Sequence, residues 1–140
     1  MKIILIGPPG CGKGTQSALV SKRYSLPRIS TGDMFREIAK ENSPSGRKIK
    51  GIMQSGKLVP DKLAISLLKK RLARKDCKDG FVLDGFPRTL SQAKTLSNMH
   101  KLDYVLYLHV PSSAIVKRLL LRKRADDKIS TIRERVSVYR

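Results

Sequence analysis

The segment Gly7-Pro8-Pro9-Gly10-Cys11-Gly12-Lys13-Gly14-Thr15 constrains this chain more than any other. It follows a short apolar run, Lys2-Ile3-Ile4-Leu5-Ile6, that reads as a buried strand, and it opens a stretch from Lys13 to about Tyr24 with a helical pattern. Strand, glycine-rich loop and helix in that order fit the phosphate-loop pattern G-x-x-x-x-G-K-[ST]. One position departs from it: Gly14 stands where Ser or Thr is usual, and Thr15 follows. Glycines let the backbone wrap a phosphate with its amide hydrogens turned inward and no Cβ in the way. The helix N-terminus adds a partial positive charge. Lys13 brings a full charge for the outer phosphates, and Thr15 a hydroxyl near Mg²⁺. The alternative is an ordinary glycine-rich turn. Cys11 reads as a small residue placed by its backbone amide, not as a redox group.

The rest of the chain alternates strand and helix. Residues 27–30 read as a brief second strand, 81–84 as a third and 104–110 as a fourth. Helical patterns cover 31–42 and 45–56, broken at Ser43-Pro44 and stopped at Gly56, and then 61–75, 90–99, 112–123 and about 127 to the end. In the 61–75 helix, Leu63, Leu67, Leu68 and Leu72 are expected to face the core. In the last helix the apolar stripe is Ile129, Ile132, Val136 and Tyr139. This alternation predicts an α/β fold, a parallel sheet with helices on both faces. The length, 140 residues, suits one domain.

Composition narrows the function classes without choosing among them. Thirty Lys+Arg against 11 Asp+Glu give a net charge of +19, which favours polyanionic ligands such as nucleotides, nucleic acid or acidic membranes. Interleaved aromatics and a recognisable nucleic-acid module are absent from the sequence, so no specific nucleic acid is expected. No apolar run approaches a membrane span. Cys11 and Cys77 are too few for a disulfide framework, no Cys/His cluster has metal-site spacing, and a reducing cytoplasm is the default compartment. His100 and His109 read as packing or surface residues.

Three further features point at a phosphorylated substrate. Asp84 ends the third strand, where a carboxylate can hold Mg²⁺ mostly through water. Ser30-Thr31-Gly32-Asp33-Met34-Phe35-Arg36 and Asp84-Gly85-Phe86-Pro87-Arg88-Thr89-Leu90-Ser91-Gln92 each place an arginine close to a glycine turn. The planar guanidinium fork binds phosphate bidentately, although each arginine could also serve as a surface ion-pair partner. Arg118 and Arg122 are four apart on a helix and share a face.

With GPPGCGKGT, STGDMFR, GKLVP at Gly56 to Pro60, FVLDGFPRTLSQA and the later arginines in this order, the chain resembles the adenylate kinases, within the nucleoside monophosphate kinase family, from Met1 to Arg140. The resemblance implies a three-layer α/β/α phosphate-loop fold and reversible phosphoryl transfer from Mg-ATP to AMP, giving two ADP. It implies a core at 1–29 and 60–140, a helical acceptor-binding insertion at 30–59 and a vestigial lid at 123–125. It implies that Gly10, Cys11, Gly12, Lys13, Gly14 and Thr15 bind ATP phosphates together with Arg118 and Arg122. The AMP site would comprise Thr31, Arg36, Lys57, Leu58, Val59, Gly85, Phe86, Pro87, Arg88, Gln92, Arg124 and Arg135. Thr31 and Gln92 would face the adenine, and Arg36 and Arg88 the AMP phosphate. Arg88, Arg118, Arg122, Arg124 and Arg135 would act with Lys13 in transfer, and Asp84 with Thr15 would hold Mg²⁺, partly through water.

The family's uridylate/cytidylate branch usually has Asn after the DGFPR block, so Gln92 favours AMP. A pyrimidine nucleotide kinase and a nucleotide-binding remnant with little activity are the alternatives. Only Lys123 separates Arg122 from Arg124, so the family's mobile lid is reduced to almost nothing, and with it any lid zinc site. The resemblance also predicts a further strand and helix beyond Arg140, making the chain a C-terminally truncated form and residues 104–110 an exposed sheet edge. A monomer in the cytoplasm, binding ATP, AMP and ADP, is the expected working form.

Overall fold

A computed structural model describes residues 1–124 and 127–139; Ala125, Asp126 and Arg140 lie outside it, and with Ala125 the last position of the expected 123–125 lid. The chain divides into two compact units, one of residues 1–6, 12–32 and 60–108 and one of residues 7–11, 33–59 and 109–140.

The first unit is built on four parallel strands: β1 (Lys2–Ile6), β2 (Arg28–Ser30), β3 (Phe81–Asp84) and β4 (Tyr104–Tyr107), in the order β2-β3-β1-β4. Consecutive residues Ile3, Ile4 and Leu5 of β1 and all of β3 are buried, so both faces of the central strands are covered. That is why these runs are continuously apolar rather than alternating. Helix α1 (Lys13–Tyr24) packs on β1, β2 and β3, with Val20 and the following Leu26 against a cluster of Ile3, Leu5 and Val82. The register sets Leu5 and Ser30 beside Asp84, bringing three strand ends to one edge. β4 pairs only with β1 at the end of the sheet, and all four of its residues are exposed, as expected for an edge. It ends at Tyr107, short of the expected 110.

The second unit contains α2 (Thr31–Lys40) from Asp33 onward and α3 (Pro44–Ser55), followed later by α6 (Ser112–Arg122) and α7 (Ile129–Tyr139). Helices α4 (Asp61–Leu72) and α5 (Leu90–Met99) belong to the first unit and pack on each other. Ser43 caps α3 by accepting from the Gly46 amide at 3.0 Å, with Pro44 in the first turn, which explains the break between α2 and α3. Ile115, Leu119 and Ile132 form the core of the second unit, with Val110 and Val136 against them.

Two apolar stripes differ from the sequence expectation. In α4 the buried line is Ala64, Leu68 and Leu72, while Leu63 and Leu67 are only half-buried. A small alanine escapes a search for large apolar side chains, yet its spacing of four from Leu68 sets the face. The helix stops at Leu72 and a 3₁₀ turn follows at Lys75–Cys77. In α7, Ile132 is buried and Val136 half-buried, but Ile129 and Tyr139 are exposed at 60% and 46%. Burial is confined to the middle of that stripe, where α3 and α6 pack.

The end of α3 shows how closely the second unit is fitted. Gly56 has φ +77°, and a Cβ there would lie 2.7 Å from the Thr131 carbonyl oxygen. The Thr131 hydroxyl donates to the Gln54 carbonyl at 2.6 Å. Gly51, inside the same helix, has nothing within 4 Å of an added Cβ. Gly56→Ala is expected to cost about 1–3 kcal/mol of unfolding free energy from strain and close approach. Gly51→Ala is expected to gain about 0.5–1 kcal/mol by restricting the unfolded chain. Urea denaturation of both variants checks the pair of opposite signs.

Candidate active site

The phosphate loop owes its shape to two glycines in different ways. Gly10 has φ +79°, and a Cβ there would meet Leu119 Cγ at 2.9 Å, so the loop can rest on α6 only without a side chain. Gly12 has φ +98° with open space around it; its backbone conformation alone calls for glycine. Gly12 begins α1 as an N-cap without a side-chain hydrogen bond. The first amides of α1 therefore depend on an acceptor from outside the helix, the arrangement that suits an anion. Lys13 is the first residue of α1 and half-buried, Thr15 is exposed in the same turn, and Cys11 is buried.

Asp84, 6% exposed, is held at the end of β3 by two groups. Its Oδ2 accepts from Arg28 Nη2 at 2.8 Å and from the Ser17 hydroxyl at 2.9 Å. Ser17 is fully buried, accepts from Arg28 Nε at 2.7 Å and also lies 3.1 Å from the Gly14 carbonyl oxygen. Both bonds to Asp84 converge on Oδ2, leaving Oδ1 as the oxygen through which a cation can be held. Mg²⁺ favours one or two carboxylates completed by water and substrate phosphates. One hard oxygen donor at a strand end beside a phosphate loop fits that habit. Among the described residues no group of three or more His, Cys, Asp or Glu could hold a metal by protein ligands alone. Sequence reasoning reached Asp84 but missed Arg28 and Ser17, which carry no motif signal.

The Gly85–Gln92 turn is tied down by its own side chains. Thr31, 1% exposed, donates through Oγ1 to the Gly85 carbonyl at 2.8 Å, and Arg88 Nε donates to the same oxygen at 2.7 Å. Phe86 is buried and its bond to Pro87 is cis. Gln92, 2% exposed, accepts from the Arg88 amide at 2.8 Å and donates through Nε2 to Asp61 at 2.8 Å. The Thr89 hydroxyl reaches the other Asp61 oxygen at 2.8 Å. Thr31 and Gln92 thus shape this turn with their own hydrogen bonds. Asp61, at the start of α4, is a further residue that the sequence reading passed over.

In the second unit, Asp127 organises the arginines. Its side chain is 1% exposed. Arg122 grips it with two bonds, Nε to Oδ2 at 2.8 Å and Nη2 to Oδ1 at 2.5 Å. The Arg124 amide donates to Oδ2 at 3.1 Å and Arg135 Nη1 to Oδ1 at 3.3 Å. Burial alone would raise the Asp127 pKa, but the Arg122 hydrogen bonds and charge, with the Arg124 amide and Arg135, bring it below the usual carboxylate range. Arg124 is shifted down by partial desolvation and then by the charges of Arg36 and Arg122. Arg36 itself pairs with Asp33. Arg124 thus feels two other guanidinium charges, and such a place suits an anionic ligand. Arg118 is exposed, and its side chain makes no ion pair or hydrogen bond among the described residues. Lys57 is exposed, Leu58 half-buried and Val59 buried.

A family model for adenylate kinase matches residues 5–140. An adenylate kinase of Corynebacterium aurimucosum is 48% identical over 145 aligned positions, which take in 100% of this chain and 80% of the relative. One of Clostridium novyi is 42% identical over 175 positions, covering 99% of this chain and 81% of the relative. One of Archaeoglobus fulgidus is 40% identical over 176 positions, covering 100% and 81%. The clostridial and archaeal alignments run well past the 140 residues of this chain, so those relatives carry an internal stretch that it lacks. The corynebacterial alignment exceeds it by only a few positions.

Asp127→Asn is expected to cost about 1–3 kcal/mol at neutral pH, because it leaves the half-buried guanidinium groups of Arg122 and Arg135 without their counter-charge. The folded-state pKa of Asp127 is depressed, so its stabilisation is complete above the unfolded value near 4 and fades as pH falls toward the folded value. Urea titrations should show a constant gap between the unmodified chain and the variant from pH 8 to 5. Below about pH 4 the gap should shrink by roughly 1.4 kcal/mol per pH unit.

Proposed function

The chain belongs to the adenylate kinase family and is an ATP:AMP phosphotransferase; from that premise we propose how its own residues carry the reaction. Lys13 and the amides of residues 10–15 hold the ATP phosphates. Arg36 and Arg88 hold the AMP phosphate. Thr31, Lys57–Val59 and the Gly85–Gln92 turn receive the AMP base and ribose. Mg²⁺, when bound with ATP through Asp84 and Thr15, partly by way of water, supplies neutralisation of the phosphate charge.

An AMP phosphate oxygen attacks the γ-phosphorus in line, a new P–O bond forms, and the bond to the β-phosphate oxygen breaks with its electron pair leaving on ADP. The attacking oxygen is already ionised, so no general base is needed. Catalysis is positioning plus neutralisation of charge by Lys13, Arg88, Arg118, Arg122, Arg124 and Arg135. The observation that carries this reading is that Asp127 fixes Arg122 and Arg135 beside Arg124, which feels the charges of both Arg36 and Arg122. In the proposed organisation, residues 30–59 form the acceptor-binding insertion, 1–29 and 60–140 the core, and 123–125 the remnant of a lid. The proposed working form is a monomer in the cytoplasm. A pyrimidine nucleotide acceptor is not favoured, since the relatives compared above are adenylate kinases.

A coupled assay of ADP formation tests the assignment. Lys13→Ala should fold normally by circular dichroism and lose about 10²–10³-fold in kcat; near-normal turnover in the folded variant overturns the role of Lys13. Arg88→Ala should weaken AMP binding by about ten- to a hundredfold, the worth of a charged hydrogen bond, with ATP affinity unchanged. Separate titrations of the two nucleotides measure this, and equal weakening of both would place Arg88 elsewhere.

A further inference from the structure

We infer that Arg28 is a resident cation that competes with Mg²⁺ for Asp84 and thereby sets the free Mg²⁺ concentration at which the nucleotide site loads. The inference rests on the reading of Asp84 as the carboxylate on the Mg²⁺ side.

Three observations converge on Arg28. Its Nη2 lies 2.8 Å from Asp84 Oδ2, and the side chains of the pair are 29% and 9% exposed. Solvent screening at this position is weak, so the guanidinium removes most of the attraction that Asp84 offers a second cation. Its Nε is bonded at 2.7 Å to the fully buried Ser17 hydroxyl, which itself lies 2.9 Å from the same carboxylate oxygen. The fork is thus fixed through two of its donors and does not wander as a surface lysine would. Finally, a Cβ on Gly14 would fall 3.4 Å from Arg28 Nη2. The guanidinium therefore lies within van der Waals reach of the phosphate-loop position where Ser or Thr is usual.

This placement has two consequences of opposite sign. A carboxylate already paired with a monovalent cation captures a divalent one less well, so more Mg²⁺ is needed. A guanidinium beside the first turn of α1 also adds positive charge where phosphates bind, so ATP without metal binds better than it would otherwise. A purely structural Arg28 would move both affinities in the same direction.

Isothermal titration of ATP into the full chain, in a chelator and across a series of free Mg²⁺ concentrations, separates these cases. Arg28→Gln should lower the half-saturating Mg²⁺ concentration by about three- to tenfold and weaken metal-free ATP by a similar factor. An unchanged or raised Mg²⁺ requirement in Arg28→Gln, with a large rise in Asp84→Asn, overturns the role of Arg28 and leaves that of Asp84 standing. No effect of Asp84→Asn on the Mg²⁺ dependence overturns both. Should Arg28→Gln fail to fold, Arg28→Lys carries the test. A lysine keeps the charge and loses the fixed fork, so the Mg²⁺ requirement should fall in the same direction by a smaller factor, and no change overturns the inference.

Discussion

Asp84 stands beside Leu5 and Ser30 in the parallel register of β1, β3 and β2, and much of the first unit's chemistry follows from that alignment. Parallel strands all end at the same edge, so the loops that leave them start there too. From β1 comes the phosphate loop, from β2 comes Thr31, and from β3 comes the Gly85–Gln92 turn. The sheet can hold this register because both faces of β1 and β3 are apolar and covered. A slip of one residue would carry Asp84 away from Ser17 and Arg28 and leave a buried carboxylate without its partners, a costly state.

The net charge of +19 takes on meaning when the acidic residues are followed individually. Asp84 holds Arg28, Asp127 holds Arg122 and Arg135, and Asp33 holds Arg36. Asp61 holds no arginine directly, but through Gln92 it supports the Arg88 amide. These acids thus orient Arg28, Arg36, Arg122 and Arg135, and the remaining excess of lysine and arginine draws anions toward the surface. A basic composition by itself says only that an anion is wanted. The positions of the acids say which arginines are fixed in place to receive it.

The same distinction explains what could be read from the sequence. The phosphate loop, the strand–helix alternation and the Ser43-Pro44 break are local patterns, set by φ preference, periodicity and capping within a few residues. Their counterparts in the structure differ by up to three residues at the ends. Asp61, Arg28 and Ser17 have no local pattern: Asp61 meets Gln92 across 31 residues and Ser17 meets Asp84 across 67. Such pairings depend on register, which sequence periodicity does not supply. Asp127 lies three residues after Arg124 in the sequence, yet nothing local says that its side chain is covered and gripped by Arg122. Thr31 and Gln92 carried a motif signal, and the structure adds the hydrogen bonds that hold them.

Lys123 shows how Arg122 and Arg124, separated by one residue, both come to hold the same carboxylate. It ends α6 with φ +51°, a left-handed conformation that costs a non-glycine residue about 1 kcal/mol. That single turn lets the Arg124 amide reach Asp127 Oδ2 while Arg122, before the turn, grips the same carboxylate with its side chain. A longer connection would give Arg124 more freedom and would place an ordering cost on each encounter with substrate. Here the order is present in advance, fixed by one buried acid. Arg118, one turn before Arg122 on α6, is exposed, and no acid among the described residues fixes it in the way that Asp127 fixes Arg122.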